Sequence, residues 1–159
     1  AQTIPYSDDT FACVIANHML YHVADLSHAL SEIARVLMSG GKFYAATNGH
    51  LHMNELSEII RQVIPSFEVT ITSFTLENGE GLLREHFKDV SLSRYEDSLV
   101  VPDASALKAY VRSMGSLLKA TEEEKQKIEQ IIDEKIHRRG KVKILKDSGL
   151  FIAGEPKKI

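Results

Sequence analysis

Four of the seven histidines are spaced so that they could act together in one site. His18 and His22 are four residues apart, and His50 and His52 are two residues apart. Neutral imidazoles suit zinc, copper or nickel, so metal binding is one interpretation of this group. No cysteine or carboxylate completes a recognised ligand spacing around them, and we therefore expect no metal. Because imidazole titrates near neutral pH, proton transfer is the other chemistry available.

A strand, a helix and a second strand are predicted to position these histidines. Phe11–Ala16 is a short apolar run typical of a parallel strand buried on both faces, and the lone Cys13 is expected to be a packed free thiol inside it. Asp25 can cap the following helix, and Gly40-Gly41 supply a left-handed stop after it. The chain then returns as a strand over Lys42–Thr47.

The carboxyl ends of these two strands are the expected location of a binding site. A βαβ unit is right-handed, and its ligands lie beyond the carboxyl ends of the parallel strands. Those ends are Ala16–His22 and Thr47–His52, which together contain all four histidines.

The rest of the chain is predicted to add helices and further strands to this unit. Turn and cap signals divide it at Pro65, Asn78-Gly79, Pro102-Asp103 and the Thr121–Glu124 capping box. The expected strands are Val90–Val101, followed by two pieces, Val142–Leu145 and Leu150–Gly154, separated by Asp147-Ser148-Gly149.

Composition excludes several classes of function. The chain has 159 residues, 43% of them hydrophobic, which is enough for a single-domain core. A net charge of −3 without a concentrated basic stripe argues against a nucleic-acid surface. No apolar run approaches the roughly 20 residues that span a bilayer, and no signal peptide opens the chain, so we expect a cytoplasmic protein with no membrane partner.

An ordered set of residues within Ile4–Thr47 carries a family resemblance. These residues are Ile4-Pro5-Tyr6, Asp9-Thr10-Phe11, Tyr21-His22, Glu32, Arg35-Val36-Leu37 and Gly40-Gly41. Together they resemble the second half of a class I S-adenosylmethionine-dependent methyltransferase of the small-molecule, type 11-like group. Two positions depart from the family pattern, since Ala12 stands where aspartate is usual and Ser39 where proline is usual.

The resemblance implies an α/β fold with part of the Rossmann-like methyltransferase sheet. The expected part is the last four strands, with the final pair antiparallel, and helices covering them. The glycine-rich cofactor loop of the family is not found, so residues 1–159 are expected to form a single incomplete domain, a C-terminal fragment. Residues 103–141 would be a helical insertion between the last two strands, either a lid over the acceptor or an inert cap on the sheet.

The resemblance also implies positions for the cofactor, S-adenosylmethionine, in the intact protein. Ala1 and Gln2 would lie at the adenine and Ala16, Asn17 and His18 near the methionine portion, with Tyr21 and His22 between cofactor and acceptor. His22 is the first candidate for accepting the proton released on methylation. The alternative for all of these residues is ordinary loop packing.

The function implied for the intact protein is methyl transfer to a small-molecule acceptor, with the fragment itself inactive. Two alternatives remain open: a non-catalytic dimerisation or regulatory module derived from a methyltransferase, and a nicotinamide-dependent Rossmann oxidoreductase. In the family's sheet, the strand equivalent to Ala12–Ala16 pairs with a strand that is missing here. The unpaired edge therefore predicts a homodimer formed through that strand.

Overall fold

A computed structural model describes residues 3–68 and 73–157 of the chain. The elements in chain order are β1 (Phe11–Asn17), a 3-10 turn (Leu20–His22), α1 (Leu26–Val36), β2 (Leu37–Asn48), α2 (Asn54–Arg61), α3 (Gly79–His86), β3 (Phe87–Val101), α4 (Ala104–Ser113), a second 3-10 turn (Gly115–Leu117), α5 (Glu122–Arg139) and β4 (Val142–Pro156). The strands that the structure describes form one sheet in the order β1-β2-β4-β3. This arrangement confirms the predicted fold class.

The predicted βαβ unit is present, with β1 and β2 parallel and α1 connecting them. The side chain of Asp25 accepts a hydrogen bond from the His28 N–H at 3.0 Å, as expected of a cap. Gly40 has a φ of +77°, so a left-handed residue does follow the helix. Because β2 begins at Leu37, Gly40 lies inside this strand and not in the loop before it.

The last strand is continuous, which corrects the prediction of two separate pieces. β4 runs unbroken through Asp147-Ser148-Gly149, because Ser148 and Gly149 pair antiparallel with Asn48 and Thr47 of β2. These pairings override the local turn signal. β3 lies on the far side of β4, where the Lys157 N–H donates to the His86 carbonyl and Gly149 lies against the Ser93 carbonyl. The two strands are therefore antiparallel, as predicted for the final pair.

The strand β1 is not buried on both faces, and this corrects a second prediction. It lies at the edge of the sheet, with Ile15 71% exposed and Cys13 also exposed. The expectation of a packed thiol is wrong because no described segment covers the face of β1 that carries Cys13 and Ile15. The other face of β1 is the packed one, since Val14 and Ala16 contact the hydrophobic core.

The chain divides into two compact units, each with its own core. Unit 1 comprises Ala1–His50, Ile71–Glu96 and Asp147–Ile159, and unit 2 comprises Leu51–Thr70 and Asp97–Lys146. The core of unit 1 centres on Phe43, Phe74, Phe87 and Phe151. The core of unit 2 is aliphatic and is built on α2, α4 and α5, with residues such as Ile60, Val111 and Ile132 fully buried.

Unit 2 contains the region predicted as a helical insertion. The Thr121–Glu124 capping box is present, with the Thr121 N–H donating to Glu124 at 2.8 Å and the Glu124 N–H donating to the Thr121 hydroxyl. Exposed ion pairs such as Lys127–Glu123 line α5. Whether this region acts as a lid or a cap stays a prediction. Among the helices described, none is long and apolar enough to span a bilayer.

Candidate functional site at the carboxyl ends of the parallel strands

The carboxyl end of β1 changes direction within three residues. Ala16 is buried, whereas Asn17 and His18 are exposed. His18 adopts a left-handed conformation with φ of +50°, which is uncommon for a residue other than glycine. Its N–H still donates to the Ala46 carbonyl of β2 at 3.1 Å. This hydrogen bond fixes the turn, so the polar side chains of Asn17 and His18 lie at the end of the sheet and in contact with solvent.

Tyr21 and His22 follow in a short 3-10 turn directly after β1. Their rings pack edge to face with centroids 4.5 Å apart. The Ser73 hydroxyl donates to the Tyr21 carbonyl at 3.1 Å, which ties this turn to the segment before α3. Tyr21 is half-buried and His22 is exposed, so the His22 imidazole is open to solvent and to a bound molecule.

The carboxyl end of β2 is held by the segment that leads into α3. The buried Thr47 hydroxyl donates to the Phe74 carbonyl at 2.8 Å, and the Leu76 N–H donates to the Asn48 carbonyl at 3.2 Å. These bonds place the Glu77 carboxylate beside His50. The His50 N–H donates to Glu77 Oε1 at 3.3 Å, and His50 Nε2 lies 3.6 Å from Glu77 Oε2.

A charged cluster surrounds that contact, and the sequence did not predict it. Arg94 donates to Asp147 Oδ1 at 2.9 Å and lies 3.7 Å from Glu77 Oε1. Burial alone raises the pKa of Glu77, but hydrogen bonds from the His50 N–H and the Thr75 hydroxyl outweigh burial and lower that pKa overall. Glu77 is therefore a carboxylate at neutral pH. Glu77, Arg94 and Asp147 lie far apart in the chain. The signals near them, Asn78-Gly79 and Asp147-Ser148-Gly149, predicted turns and not a charged cluster.

Gly49 lies in the middle of this cluster. A Cβ built on Gly49 would overlap the Asp147 carboxylate, reaching 2.7 Å from Asp147 Cγ and 2.9 Å from Glu77 Oε1. Its N–H donates to the Asp147 carbonyl at 2.9 Å. A side chain at this position would therefore displace the Asp147 and Glu77 carboxylates.

The amino ends of the same strands carry much of the family signature and have a different role. The Arg35 guanidinium donates to the Ile4 carbonyl at 3.0 Å and the Tyr6 carbonyl at 2.8 Å, and it pairs with Asp8 at 2.8 Å. Glu32 accepts from Arg35 Nε at 2.7 Å and from the Ile4 N–H at 3.0 Å. Hydrogen bonds from Arg35, and then from the Ile4 N–H, lower the pKa of Glu32 to about 2. These two side chains fasten residues 4–8 to α1 and are structural.

The structure brings some predicted site residues together and leaves others apart. Ala16, Asn17, His18, Tyr21 and His22 lie on one continuous segment of unit 1, and His50 follows the neighbouring strand of the same unit. His52 belongs to unit 2. Ala1 and Gln2 fall outside the described residues. Within residues 3–68 and 73–157, no group of three or more histidine, cysteine or acidic side chains is arranged to hold a metal ion.

Comparison with known proteins agrees with this geometry. Residues 1–45 match the family model described as "Methyltransferase domain". The ubiquinone/menaquinone biosynthesis C-methyltransferase UbiE of Marinomonas sp. is 30% identical over 115 residues, which is 72% of this chain and 42% of that protein. The chain therefore spans less than half the length of this curated relative.

Solved structures show the same fold. A Bacillus halodurans protein assigned as a methyltransferase superposes with a TM-score of 0.60 at 18% identity, over 98% of this chain and 75% of its own. The YcgJ protein of Bacillus subtilis gives a TM-score of 0.55 at 14% identity, over 99% and 69%. Residues 1–45 thus match part of a methyltransferase domain, and the described chain has the fold of these solved structures.

Proposed function

We propose that this chain is the acceptor-side part of a methyltransferase that uses S-adenosylmethionine to methylate a small molecule. The observation that carries the proposal is the parallel pairing of β1 with β2, which puts Asn17 level with Ala46 and brings the segments 16–22 and 47–50 to one edge of unit 1. In open α/β sheets this edge is where ligands bind.

The residues at this edge suit the polar groups of the cofactor. Asn17 offers both a donor and an acceptor, and the Tyr21 hydroxyl and the His18 imidazole add further hydrogen-bonding groups. Asn17 and His18 are exposed, and Tyr21 is half-buried. When bound, the cofactor supplies an electrophilic methyl group. Ala16, Asn17, His18 and Tyr21 would hold one side of it.

The work of the chain in such a reaction is chiefly to position the acceptor and to take up a proton. Alignment of the nucleophile supplies much of the acceleration in a displacement reaction. The exposed His22 imidazole, packed edge to face on Tyr21, is placed to accept the proton released from a hydroxyl or amine. We assign it that role as the first candidate.

The 159 residues alone are expected to bind the cofactor weakly and to be inactive, because they supply only one side of the site. We place the protein in the cytoplasm. The nicotinamide-dependent oxidoreductase alternative finds no support, since the matching family model is a methyltransferase domain.

Isothermal titration calorimetry with S-adenosylhomocysteine tests the proposal. We expect weak binding to the 159-residue chain, abolished by Asn17→Leu and unchanged by Asn54→Leu. Asn54 is the matched control because it lies in unit 2, where its side chain only donates to Glu58. Tighter binding is expected for the full-length gene product. No binding to that product, or equal losses in the two variants, would contradict the proposal.

A further inference from the structure

The net charge of −3 conceals a local excess of positive charge in unit 2. Residues 135–146 run from the last turns of α5 into the start of β4 and contain six basic side chains and no acidic one. These basic residues are Lys135, Arg138, Arg139, Lys141, Lys143 and Lys146. Such a run produces a positive field that attracts anions.

The charges in the first half of α5 are neutralised inside the protein, and those of residues 135–146 are not. Arg112 of α4 pairs with Glu122 at 3.2 Å, and Lys127 pairs with Glu123 at 2.8 Å. Within residues 3–68 and 73–157, none of the six basic side chains of residues 135–146 makes an ion pair or a hydrogen bond. Their positive charge is therefore available to a ligand.

Three of these basic side chains line one cavity. It has a volume of about 160 Å³ and lies between the carboxyl end of α2 and the last turns of α5. All of its lining residues belong to unit 2, and they are Gln62, Ile131, Glu134, Lys135, Arg138 and Arg139. Because a cavity of about 150 Å³ can hold a molecule the size of benzene, this one has room for a phosphate group.

The negative charge around the cavity does not balance the three cations. Glu134 contributes one carboxylate, and the carboxyl ends of α2 and α5 each contribute roughly half a negative charge. Arg138 and Arg139 lie in the last turn of α5, where the helix dipole favours basic residues. Lys135 lies before that turn, and Lys141 follows the helix, so the dipole does not account for them. A net positive charge remains for an anion to neutralise.

The donors around the cavity suit a phosphate group. A guanidinium can donate two parallel N–H groups to phosphate oxygens, and an ammonium adds a point charge. Gln62 Nε2 donates to the Glu58 carbonyl at 3.2 Å, which leaves its second N–H for a ligand. A phosphate monoester carries a charge of about −1.5 to −2 at pH 7 and has three acceptor oxygens. A nucleic-acid backbone is a poorer match, because one cavity accommodates only one of its many phosphates.

We propose that unit 2 binds a phosphate monoester group in the cavity lined by Gln62, Lys135, Arg138 and Arg139. Soluble phosphate monoesters and the headgroup of phosphatidic acid share this chemistry, and separate binding measurements distinguish them. The cavity belongs to unit 2, whereas the proposed cofactor edge belongs to unit 1. The inference therefore does not depend on methyl transfer.

Two binding measurements on the 159-residue chain test the proposal. The first is isothermal titration calorimetry with inorganic phosphate and with glycerol 3-phosphate, in a buffer of low ionic strength. The second is co-sedimentation with phosphatidylcholine vesicles that contain or lack phosphatidic acid. Saturable binding of glycerol 3-phosphate would support the proposal with a soluble ester as the ligand. Binding that requires phosphatidic acid in the vesicles, without binding of glycerol 3-phosphate, would support it with the lipid headgroup as the ligand.

A matched pair of variants locates the binding on α5. Lys135→Gln is expected to weaken binding on the order of tenfold, because it removes a hydrogen bond from a charged donor to the ligand. The control is Lys127→Gln, which removes the same charge from the same helix, where Lys127 pairs with Glu123 and does not line the cavity. This variant should bind like wild type. In NMR spectra, the side-chain N–H signals of Gln62, Arg138 and Arg139 should shift when phosphate is added.

Three results would overturn the proposal. One is the absence of binding in both measurements. Another is equal weakening by Lys135→Gln and Lys127→Gln, because the ligand would then respond only to overall charge. The third is a set of NMR shifts that leaves Gln62, Arg138 and Arg139 unchanged, because the phosphate would then bind elsewhere. Since calorimetry with S-adenosylhomocysteine is a separate readout, failure here leaves the proposed function standing.

Discussion

At the amino ends of β1 and β2, the Arg35 guanidinium and the Glu32 carboxylate bond backbone groups of Ile4 and Tyr6, and a close-fitting Gly41 completes the packing. At the carboxyl ends of the same strands, His18 and His22 project to solvent on short loops. Both ends carry polar side chains, but those at the amino ends are saturated with partners inside the protein. The amino ends therefore fasten the chain to itself, whereas the exposed side chains at the carboxyl ends can contact a ligand.

The residues that carry a family resemblance are therefore not always the residues that line the binding site. Glu32 and Arg35 are part of the family resemblance, yet their contacts are to the protein's own chain. Glu77 and Arg94 lie outside the signature, yet they border the edge where ligands are expected. Four predictions follow from this contrast, in order of decreasing effect.

The largest effect is expected from Gly41→Ala at the amino ends. A Cβ there would lie 2.6 Å from Leu37 Cδ2, 2.9 Å from the Met38 carbonyl oxygen and 3.1 Å from the Ala12 carbonyl oxygen. Because backbone atoms cannot move aside, we expect a loss of about 2–3 kcal/mol in the free energy of unfolding, measured by urea denaturation. The control is Gly81→Ala, where nothing lies within 4 Å. A Gly41→Ala protein as stable as wild type would contradict the tight fit.

A smaller loss is expected from Gly49→Ala at the carboxyl ends. The added methyl group meets the carboxylates of Asp147 and Glu77, which are side chains and can rotate away. We expect a loss of about 1 kcal/mol, together with a weakened Arg94–Asp147 ion pair. Urea denaturation of both alanine variants under the same conditions shows which one loses more free energy of unfolding. If Gly49→Ala were the more damaging change, the carboxyl ends would be the more rigid of the two.

Acid stability should distinguish the fastening residues from the rest. The pKa of Glu32 is about 2 in the folded protein against a reference value of 4.5, so the stabilisation is present above pH 4.5 and is lost as the pH falls toward 2. Glu32→Gln should therefore reduce the slope of unfolding free energy against pH within that window. Burial lowers the pKa of His86, so its protonation destabilises both proteins below its reference value of 6.5 and cancels in the difference. Equal slopes for wild type and variant would contradict the assignment.

The smallest effect on stability is expected from His22→Gln. Replacing an exposed side chain usually changes the free energy of unfolding by less than about 0.5 kcal/mol. Thermal melting should therefore leave this variant indistinguishable from wild type. A large drop in melting temperature would mean that His22 packs structurally, and it would remove the residue as a candidate proton acceptor.

Local signals in the sequence predicted most of the fold. Asp25 and the Thr121–Glu124 box each have the cap geometry that their residue types indicate. Predictions from local sequence were wrong where contacts between distant segments decide the secondary structure or the burial of a residue. The turn residues Asp147-Ser148-Gly149 became part of a strand because β2 pairs with them. Cys13 is exposed because no described segment packs on its face of β1.

The candidate site was predicted only in part for the same reason. The order of residues in a βαβ unit is enough to place Asn17, His18 and His50 at one edge of a sheet. Glu77, Arg94 and Asp147 come from three separate stretches of the chain, and their convergence depends on the position of β4 between β2 and β3. The spacing of these three residues in the sequence does not predict that they lie close together.

Residue-resolved hydrogen exchange with and without S-adenosylhomocysteine tests the central claim most directly. The account predicts slower exchange at residues 16–22 and 47–50 when the ligand is present, with residues 4–10 and 39–41 unchanged. Protection confined to the amino ends, around Gly40 and Asp9, would contradict the account. It would show that the fastening region, and not the carboxyl ends of the strands, binds the ligand.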